Sequence, residues 1–239
     1  MNLITIVRKI LNIFDSFQQK KIINVLKNNC RDNLIIFDVG SHLGETVELF
    51  SRNFNIKKIH CFEASNLNFI KLKDKLVKNK LMDICVINNV GIGDIEGKNF
   101  LNQTKESSSS TINEFNEQSN YLKRKLKFLN IKKIDNFYHK LPINIIKLNT
   151  YIKKNKITNI DILKIDTEGF ELNVIKSLED SSNIIKYIYF EHHYDDMLRK
   201  NYNYSNINHT LGNLGFKKIY KSKMIFRKSF EYIYKNINI

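Results

Sequence analysis

The stretch LKIDTEGFELNVIKSL, residues 163–178, begins as a strand and ends as a helix. Its apolar run stops at Asp166, and Asp166, Glu168 and Glu171 crowd into the junction. A buried strand has no need of three carboxylates at its end, so the junction is a candidate site. Its meaning depends on what else in the chain is built like it.

Outward from this stretch, apolar β-rich runs alternate with helical patterns. LIIFDV (34–39) is predicted as a strand and GETVELFSRNF as the helix after it. KKIHCFE (57–63) and DICVINNV (83–90) are two more strands, with the helical NLNFIKLKDKLVKNK between them. DILKID (161–166) is a fourth strand, followed by the helix FELNVIKSLED; IIKYIYFEHH (184–193) is a fifth. NINHTLGNLGF predicts a short helix ended by glycine, and KKIYKSKMIFRKSFEYIYK two closing strands. Strands written as continuous apolar runs, alternating with helices, predict an α/β fold with a mostly parallel sheet covered on both faces. In such sheets ligands bind beyond the carboxyl ends of the strands, where the strand order reverses.

Two other strand ends fit that place. In FDVGSHLGETVELF (37–50) a strand runs into Asp38, turns through Gly40 and Gly44 and enters a helix. Such a turn lets backbone approach a ligand, although a plain strand-to-helix turn needs the same glycines and the full G-x-G-x-x-G spacing is missing. HCFEAS (60–65) places Glu63 at the next strand end, 25 residues after Asp38, where an acid can accept hydrogen bonds from both hydroxyls of a ribose. Turn plus acid at this spacing predicts a nucleoside-bearing cofactor. NNVGIGDIEG (88–97) follows the third strand, and Asn89 could border an adenine ring or belong to a simple turn.

Together DVGSHLGET, FEAS and DILKIDTEGFELNVIKSL resemble the FkbM-type methyltransferases, a branch of the S-adenosylmethionine-dependent enzymes. The third carries the family's most characteristic pattern, with Asp161, Lys164, Asp166, Glu168, Gly169, Glu171 and Val174 in register. NVGIGDIEG, the Ser107–Ser110 run and LNTYIKKNKI also have counterparts, and the resemblance covers roughly residues 33–232. It implies a Rossmann-like class I methyltransferase fold with a seven-stranded sheet and S-adenosyl-L-methionine as cofactor. The implied acceptor is a hydroxyl of a small molecule or glycan, with saccharides and lipid-linked saccharides favoured. It assigns Asp38 to the methionine end, the backbone N–H groups near Gly40 and Ser41 to positioning, Glu63 to the ribose, and Gly44, Ala64 and Asn89 to the same cofactor pocket. Asp166 is expected at the cofactor and acceptor, and Glu168 at the acceptor hydroxyl, orienting it or taking its proton. Glu171, in the first helical turn, suits the helix dipole and a structural role.

YFEHHYDD (189–196) adds two histidines at the fifth strand end. Adjacent strand residues point to opposite faces, so at most one of His192 and His193 faces the site; His192 is the candidate general base. The cluster lacks a recognised metal-ligand spacing, so no metal is expected.

Two segments lie outside the alternation. Residues 1–32 are read as a helical extension, with Leu3, Ile6, Val7, Ile10, Leu11 and Phe14 at helical spacing. This basic helix either caps the core or lies on a membrane surface. The methyltransferase domain then occupies 33–239. Within it, about 100–145 is an insertion or lid, polar and rich in Ser and Asn and then basic, of a composition that permits disorder.

The composition is ordinary for a globular chain of 239 residues except for a net charge of +15. That charge favours an anionic partner. However, 33 Lys stand against six Arg, with one Ala (Ala64) and one Pro (Pro142), a bias toward residues with AT-rich codons that accounts for much of the lysine. A nucleic-acid amino-methyltransferase would carry an Asn/Asp-Pro-Pro-aromatic motif where this chain has DTEG, which argues against nucleic acid. A binding module that has kept the fold and lost activity, holding an anionic glycan or membrane, is the remaining competitor. No run is long enough to span a membrane, and Cys30, Cys61 and Cys85 make no C-x-x-C pair. A cytoplasmic protein with reduced thiols, in peripheral contact at most with the membrane's inner face, is expected.

Overall fold

The computed structural model describes residues 18–224 and 228–239. The described chain starts in helix α1, which runs through residue 27 and buries Ile22, Ile23 and Leu26. The predicted amphipathic segment from Leu3 to Phe14 lies outside the described residues. Two βα steps and a third strand follow: β1 (Leu34–Val39), α2 (Glu45–Ser51), β2 (Ile56–Phe62), α3 (Asn66–Lys78) and β3 (Cys85–Asn88). After an intervening unit come β7 (Ile160–Ile165), α6 (Glu171–Lys176), β8 (Ile185–His193), α7 (Tyr204–Asn213), β9 (Phe216–Lys223) and β10 (Ser229–Asn236).

Seven of these strands form one sheet in the order β3-β2-β1-β7-β8-β10-β9. The first five pair in parallel, and β10 runs antiparallel between β8 and β9. One core cluster, with Phe37, Leu163, Val174 and Ile188, lies under α5 (Leu148–Lys154), α6 and α7; the other, with Ile36, Phe50, Leu72 and Ile162, lies under α1, α2 and α3. Burial on both sides explains why all six residues of β7 are buried and why its sequence does not alternate. The strand order reverses between β1 and β7, so their connections diverge and leave a crevice at their carboxyl ends.

The helix after β7 is shorter than the predicted FELNVIKSLED. It ends at Lys176, and Glu179–Ile184 continues as a 3-10 turn. Ser177 Oγ donates to the Val174 carbonyl at 2.6 Å, competing for helical backbone groups.

The insertion is folded. It comprises β4 (Gly91–Ile92), β5 (Gly97–Thr104), α4 (Asn120–Phe128) and β6 (Tyr138–Ile146), with β6 central in a second, three-stranded sheet. Its polar stretch finds partners instead of disorder: Asn102 and Thr111 exchange backbone hydrogen bonds, and Ser119 caps α4 by accepting from Leu122 N. Phe115, Leu122 and Phe137 make a small core with Met197 and Leu198, which anchors the insertion to the segment after β8.

Candidate active site

At the reversal point the ends of β1 and β7 touch. Asp166 N donates to the Val39 carbonyl at 2.9 Å, and a Cβ on Gly40 would lie 1.8 Å from the Asp166 carbonyl oxygen. Gly40 also has φ +84°, so glycine is required twice over. Above this contact opens a cavity of about 430 Å³, in the range of cofactor sites. Its wall runs from Val39–His42 through Glu63 and Ala64 to Gly91, and from Asp166–Glu168 to the Ser107–Ser110 turn of the insertion.

The turn after β1 uses its amides internally. Gly40 N and Ser41 N both donate to the Phe62 carbonyl, so these two N–H groups, expected to position a cofactor, are committed to closing the sheet end. Glu63 is held by two further amides, His42 N on Oε2 at 2.8 Å and Ser65 N on Oε1 at 2.9 Å. A carboxylate offers about four lone-pair positions, so about two remain for a vicinal diol. Burial pushes Glu63 up to about 7, against the pull of those two amides. Gly44 lies outside the wall; its missing side chain makes room for Leu72 on α3. Asn89 is also outside the wall and straps β3 to β2, its Nδ2 donating to the Glu63 carbonyl at 2.8 Å.

A polar row crosses the sheet on the α2 side. Asp38 pairs in register with Lys164, Lys164 with Tyr189, and Glu191 with Glu231. Asp38 is fully buried beneath the cavity, and neither of its carboxylate oxygens has a hydrogen-bond partner. Burial raises it to about 6, with Lys164 opposing. Lys164 is itself buried and bonds Asp166 Oδ2 at 2.7 Å; burial works against its charge, but Asp166 and Asp38 hold it at about 12. Asp38 therefore acts on the cavity through Lys164 and the field it adds, not by contact with its contents.

Glu168 follows in a left-handed conformation, φ 48°, which is uncommon for this residue type. The insertion fixes that turn: Thr111 Oγ1 donates to the Glu168 carbonyl at 2.7 Å, and Asn113 Nδ2 donates to the Gly169 carbonyl. Burial lifts the Glu168 carboxyl to about 7, opposed by the nearby His193 charge.

Neither histidine lines the cavity, but His193 lies behind Glu168, which does. His192 points to the α6 and α7 side, where Nδ1 lies 3.4 Å from Glu171 Oε2 and its ring packs edge-on against Tyr194. It is absent from the cavity wall, and strand alternation is the reason. His193 lies 3.5 Å from Glu168, 3.5 Å from Glu191 and 3.4 Å from Asp195. Burial disfavours its charge, yet Glu168 and its two companions raise it to about 10, which favours the charged form. Glu171 is buried and structural: it accepts from Gly169 N at 2.6 Å and from Tyr202 Oη at 2.8 Å.

The wall therefore gathers Gly40, Ser41, Glu63, Ala64, Asp166 and Glu168 from the predicted set, and leaves out Asp38, Gly44, Asn89 and His192. It adds His42, Glu45, Lys164 and Glu191. Lys164 has a sequence signal, a charge inside a run otherwise wholly apolar. His42 Nε2 meets Ser107 Oγ at 2.6 Å, joining the β1 turn to the insertion, and no spacing rule foretells it. Among the described residues no group of three or more His, Cys, Asp or Glu could hold a metal ion, and no helix is long and apolar enough to cross a membrane.

The family model for the Methyltransferase FkbM domain matches residues 38–218. No curated protein matches the chain. Among solved structures, a methyltransferase FkbM from Methylobacillus flagellatus KT superposes with a TM-score of 0.53 at 13% identity, over 87% of this chain and 45% of that one. This chain thus spans less than half of that protein. Magnesium protoporphyrin IX methyltransferase from Synechocystis PCC 6803, with S-adenosylmethionine bound, gives 0.55 at 8% identity over 99% and 85%. TrmK from M. capricolum, with S-adenosylhomocysteine, gives 0.51 at 10% identity over 90% and 67%. At these identities the structures establish the shared Rossmann-like fold.

Proposed function

The chain belongs to the FkbM methyltransferase family, whose cofactor is S-adenosylmethionine, and we propose that it methylates a hydroxyl of a small molecule or glycan, saccharides and lipid-linked saccharides foremost. The observation that carries this reading is the chemistry of the cavity wall. Acids that follow β2 and β7, with Glu191 of β8 and Glu45 at the start of α2, face a space of cofactor size in a protein otherwise strongly basic. A cationic cofactor matches that wall, and a phosphodiester does not. When bound, S-adenosylmethionine supplies a methyl group on a sulfonium, so that an O–CH3 bond can form as the S–CH3 bond breaks.

The chain's residues take the remaining tasks. Glu63 receives the ribose hydroxyls on its two free lone-pair positions. Asp166, held by Lys164, faces the methionine end. Glu168 takes the acceptor's proton: it is buried, its carboxyl lies near the operating pH, and His193 keeps a positive charge beside it to favour the ionised form. The Ser107–Ser110 turn borders the cavity on the acceptor's side.

The test is methyl transfer from labelled S-adenosylmethionine to a panel of sugars and lipid-linked saccharides. Label is expected in an alkali-stable ether. Glu168→Gln should lower turnover by roughly 10²–10⁴-fold, the usual weight of a general base, with S-adenosylhomocysteine affinity unchanged. An unchanged rate in that variant would remove Glu168 from the reaction, and transfer only to amines would overturn the hydroxyl reading.

A further inference from the structure

Beside the cofactor-sized cavity lies a second, of about 180 Å³, between the polar row of the sheet and helices α1 and α2. The two share Glu45, Thr46, Lys164, Asp166 and Glu191 in their walls, so they are neighbouring compartments separated by the Lys164–Asp166 pair. The smaller one is further lined by Gln19, Tyr189, Met224 and Glu231. By the volume each molecule occupies in the liquid, it would hold about six waters or one compact polar group.

Its far wall brings two carboxylates together, with His193 compensating only the Glu191 side. Glu191 and Glu231 are directly opposite on antiparallel β8 and β10, so both side chains lie on one face at closest approach. Like charges so placed are destabilising even on a surface, and Glu231 is only 5% exposed. One carboxylate oxygen of Glu231 accepts from Tyr189 Oη; the other, Oε2, is buried, has no hydrogen-bond partner and lines the cavity. Glu191 Oε1 has no hydrogen bond and faces His193 Nε2 at 3.5 Å. Burial and then the Glu191 charge raise Glu231 to about 7, so an added proton can relieve the pair when the cavity is empty.

The charge of the joined walls points the same way. Glu45, Glu63, Asp166, Glu168, Glu191 and Glu231 line the two compartments, and Lys164 is the one lysine or arginine among their lining residues. S-adenosylmethionine, with one sulfonium, one ammonium and one carboxylate, brings a single net positive charge. A surplus of acid remains, and Glu231 is the acid that lines the smaller compartment alone. Three-ligand metal geometry is absent among the described residues, so a metal ion does not answer it.

We infer that the smaller cavity is the acceptor's recognition pocket and that Glu231 and Glu191 there bind a primary ammonium group, so that the acceptor is a hydroxyl compound that also carries an amine, such as an amino sugar. This rests on the methyltransferase reading above and narrows its acceptor. The ammonium has three donors, which suit Glu231 Oε2, Glu191 Oε1 and one further oxygen of the wall. It would replace the proton between the two glutamates.

Calorimetric titrations of the full chain, saturated with S-adenosylhomocysteine, compare glucosamine with glucose and ethanolamine with ethylene glycol. Each ammonium probe is expected to bind at least tenfold more tightly than its neutral partner. In Glu231→Gln, whose amide oxygen can still accept from Tyr189, the preference should disappear while S-adenosylhomocysteine binds as in the wild type. Equal binding of charged and neutral probes, or an ammonium preference kept in Glu231→Gln, would overturn the inference. Failure of S-adenosylhomocysteine to bind the wild-type chain would instead sink the methyltransferase reading beneath it.

Discussion

Replacing Gly40 by alanine tests whether the contact between β1 and β7 builds the site. The new Cβ would stand 1.8 Å from the Asp166 carbonyl oxygen, where ordinary contact begins at 3.4 Å, so about 1.6 Å must be found between two backbone segments. Neither segment can yield freely. Gly40 N is bonded to the Phe62 carbonyl at 2.9 Å, and Asp166 N to the Val39 carbonyl at 2.9 Å. Opening the second bond leaves buried groups unpaired, at about 1–3 kcal/mol. Holding an alanine at positive φ costs about 1–2 kcal/mol more. Together a loss of roughly 2–5 kcal/mol is expected in urea unfolding followed by circular dichroism. The same shift moves Asp166 and Glu168 relative to Glu63 by more than the ~1 Å that can cost a site about 100-fold. S-adenosylhomocysteine affinity, measured by calorimetry, should therefore fall by one to two orders of magnitude. Gly212→Ala is the control: its Cβ meets nothing within 4 Å and it lies in α7, where alanine should stabilise by roughly 0.5–1 kcal/mol. A Gly40→Ala protein with unchanged midpoint and affinity would refute the close-contact argument.

Three other outcomes follow from the same geometry. Glu63→Ala orphans His42 N and Ser65 N as well as the ribose-binding oxygens, so S-adenosylhomocysteine binding should weaken at least tenfold and stability should fall by about 1–3 kcal/mol; affinity within twofold of wild type would count against the assignment. Glu63, Glu168 and Glu231 each sit at about 7 when folded, against 4.5 when free. The folded state therefore keeps protons that the unfolded chain releases, and stability should drop as pH rises from about 4.5 to 7. His193, held at about 10 against 6.5, continues the decline as pH rises from about 6.5 to 10. Unfolding at high salt, which screens the basic surface, should give a lower midpoint at pH 8 than at pH 5, and the reverse order would contradict these environments. His193→Gln removes the charge that lowers Glu168, so the Glu168 carboxyl, followed by carbon NMR, should titrate at higher pH than in the wild type; a lower titration point would show that His193 is not its main cationic neighbour.

The sheet was legible in the sequence because burial on both faces writes each parallel strand as a mostly apolar run without polar alternation. LIIFDV and DILKID could be placed, and the ends of those runs marked where to look. Glycine was legible at position 40 for a related reason, since a turn that tight has few other solutions. Glu63 and Glu168 could be found because they follow such strand ends directly. Asp38 could not be separated from them, since a residue at a strand's carboxyl end can point up into the crevice or down into the layer beneath. That difference is one step of the pleat, and it also turned His192 away while leaving His193 behind Glu168, outside the wall. The 3-10 turn after α6 had a local cause in Ser177, but a serine in that position is compatible with a longer helix too.

The charge of the site was hidden for a different reason. A sequence with net charge +15 suggests a basic protein throughout, yet the charged residues that line the two cavities are nearly all acids. Those acids are far apart in the chain, and Glu231 joins them only through the antiparallel register that sets it opposite Glu191. No short motif records that register. Lys164 is similar: in the sequence it interrupts a buried strand, and in the structure it is the cation that allows Asp38 and Asp166 to share one sheet end. Replacing it by methionine would remove the only positive charge between those carboxylates, so the expected consequence is collapse of the cavity wall and not a simple loss of one contact. The basic exterior and the acidic crevice thus have separate origins. The first follows composition, whereas the second depends on strand order, pleat and register acting together on residues that individually look ordinary.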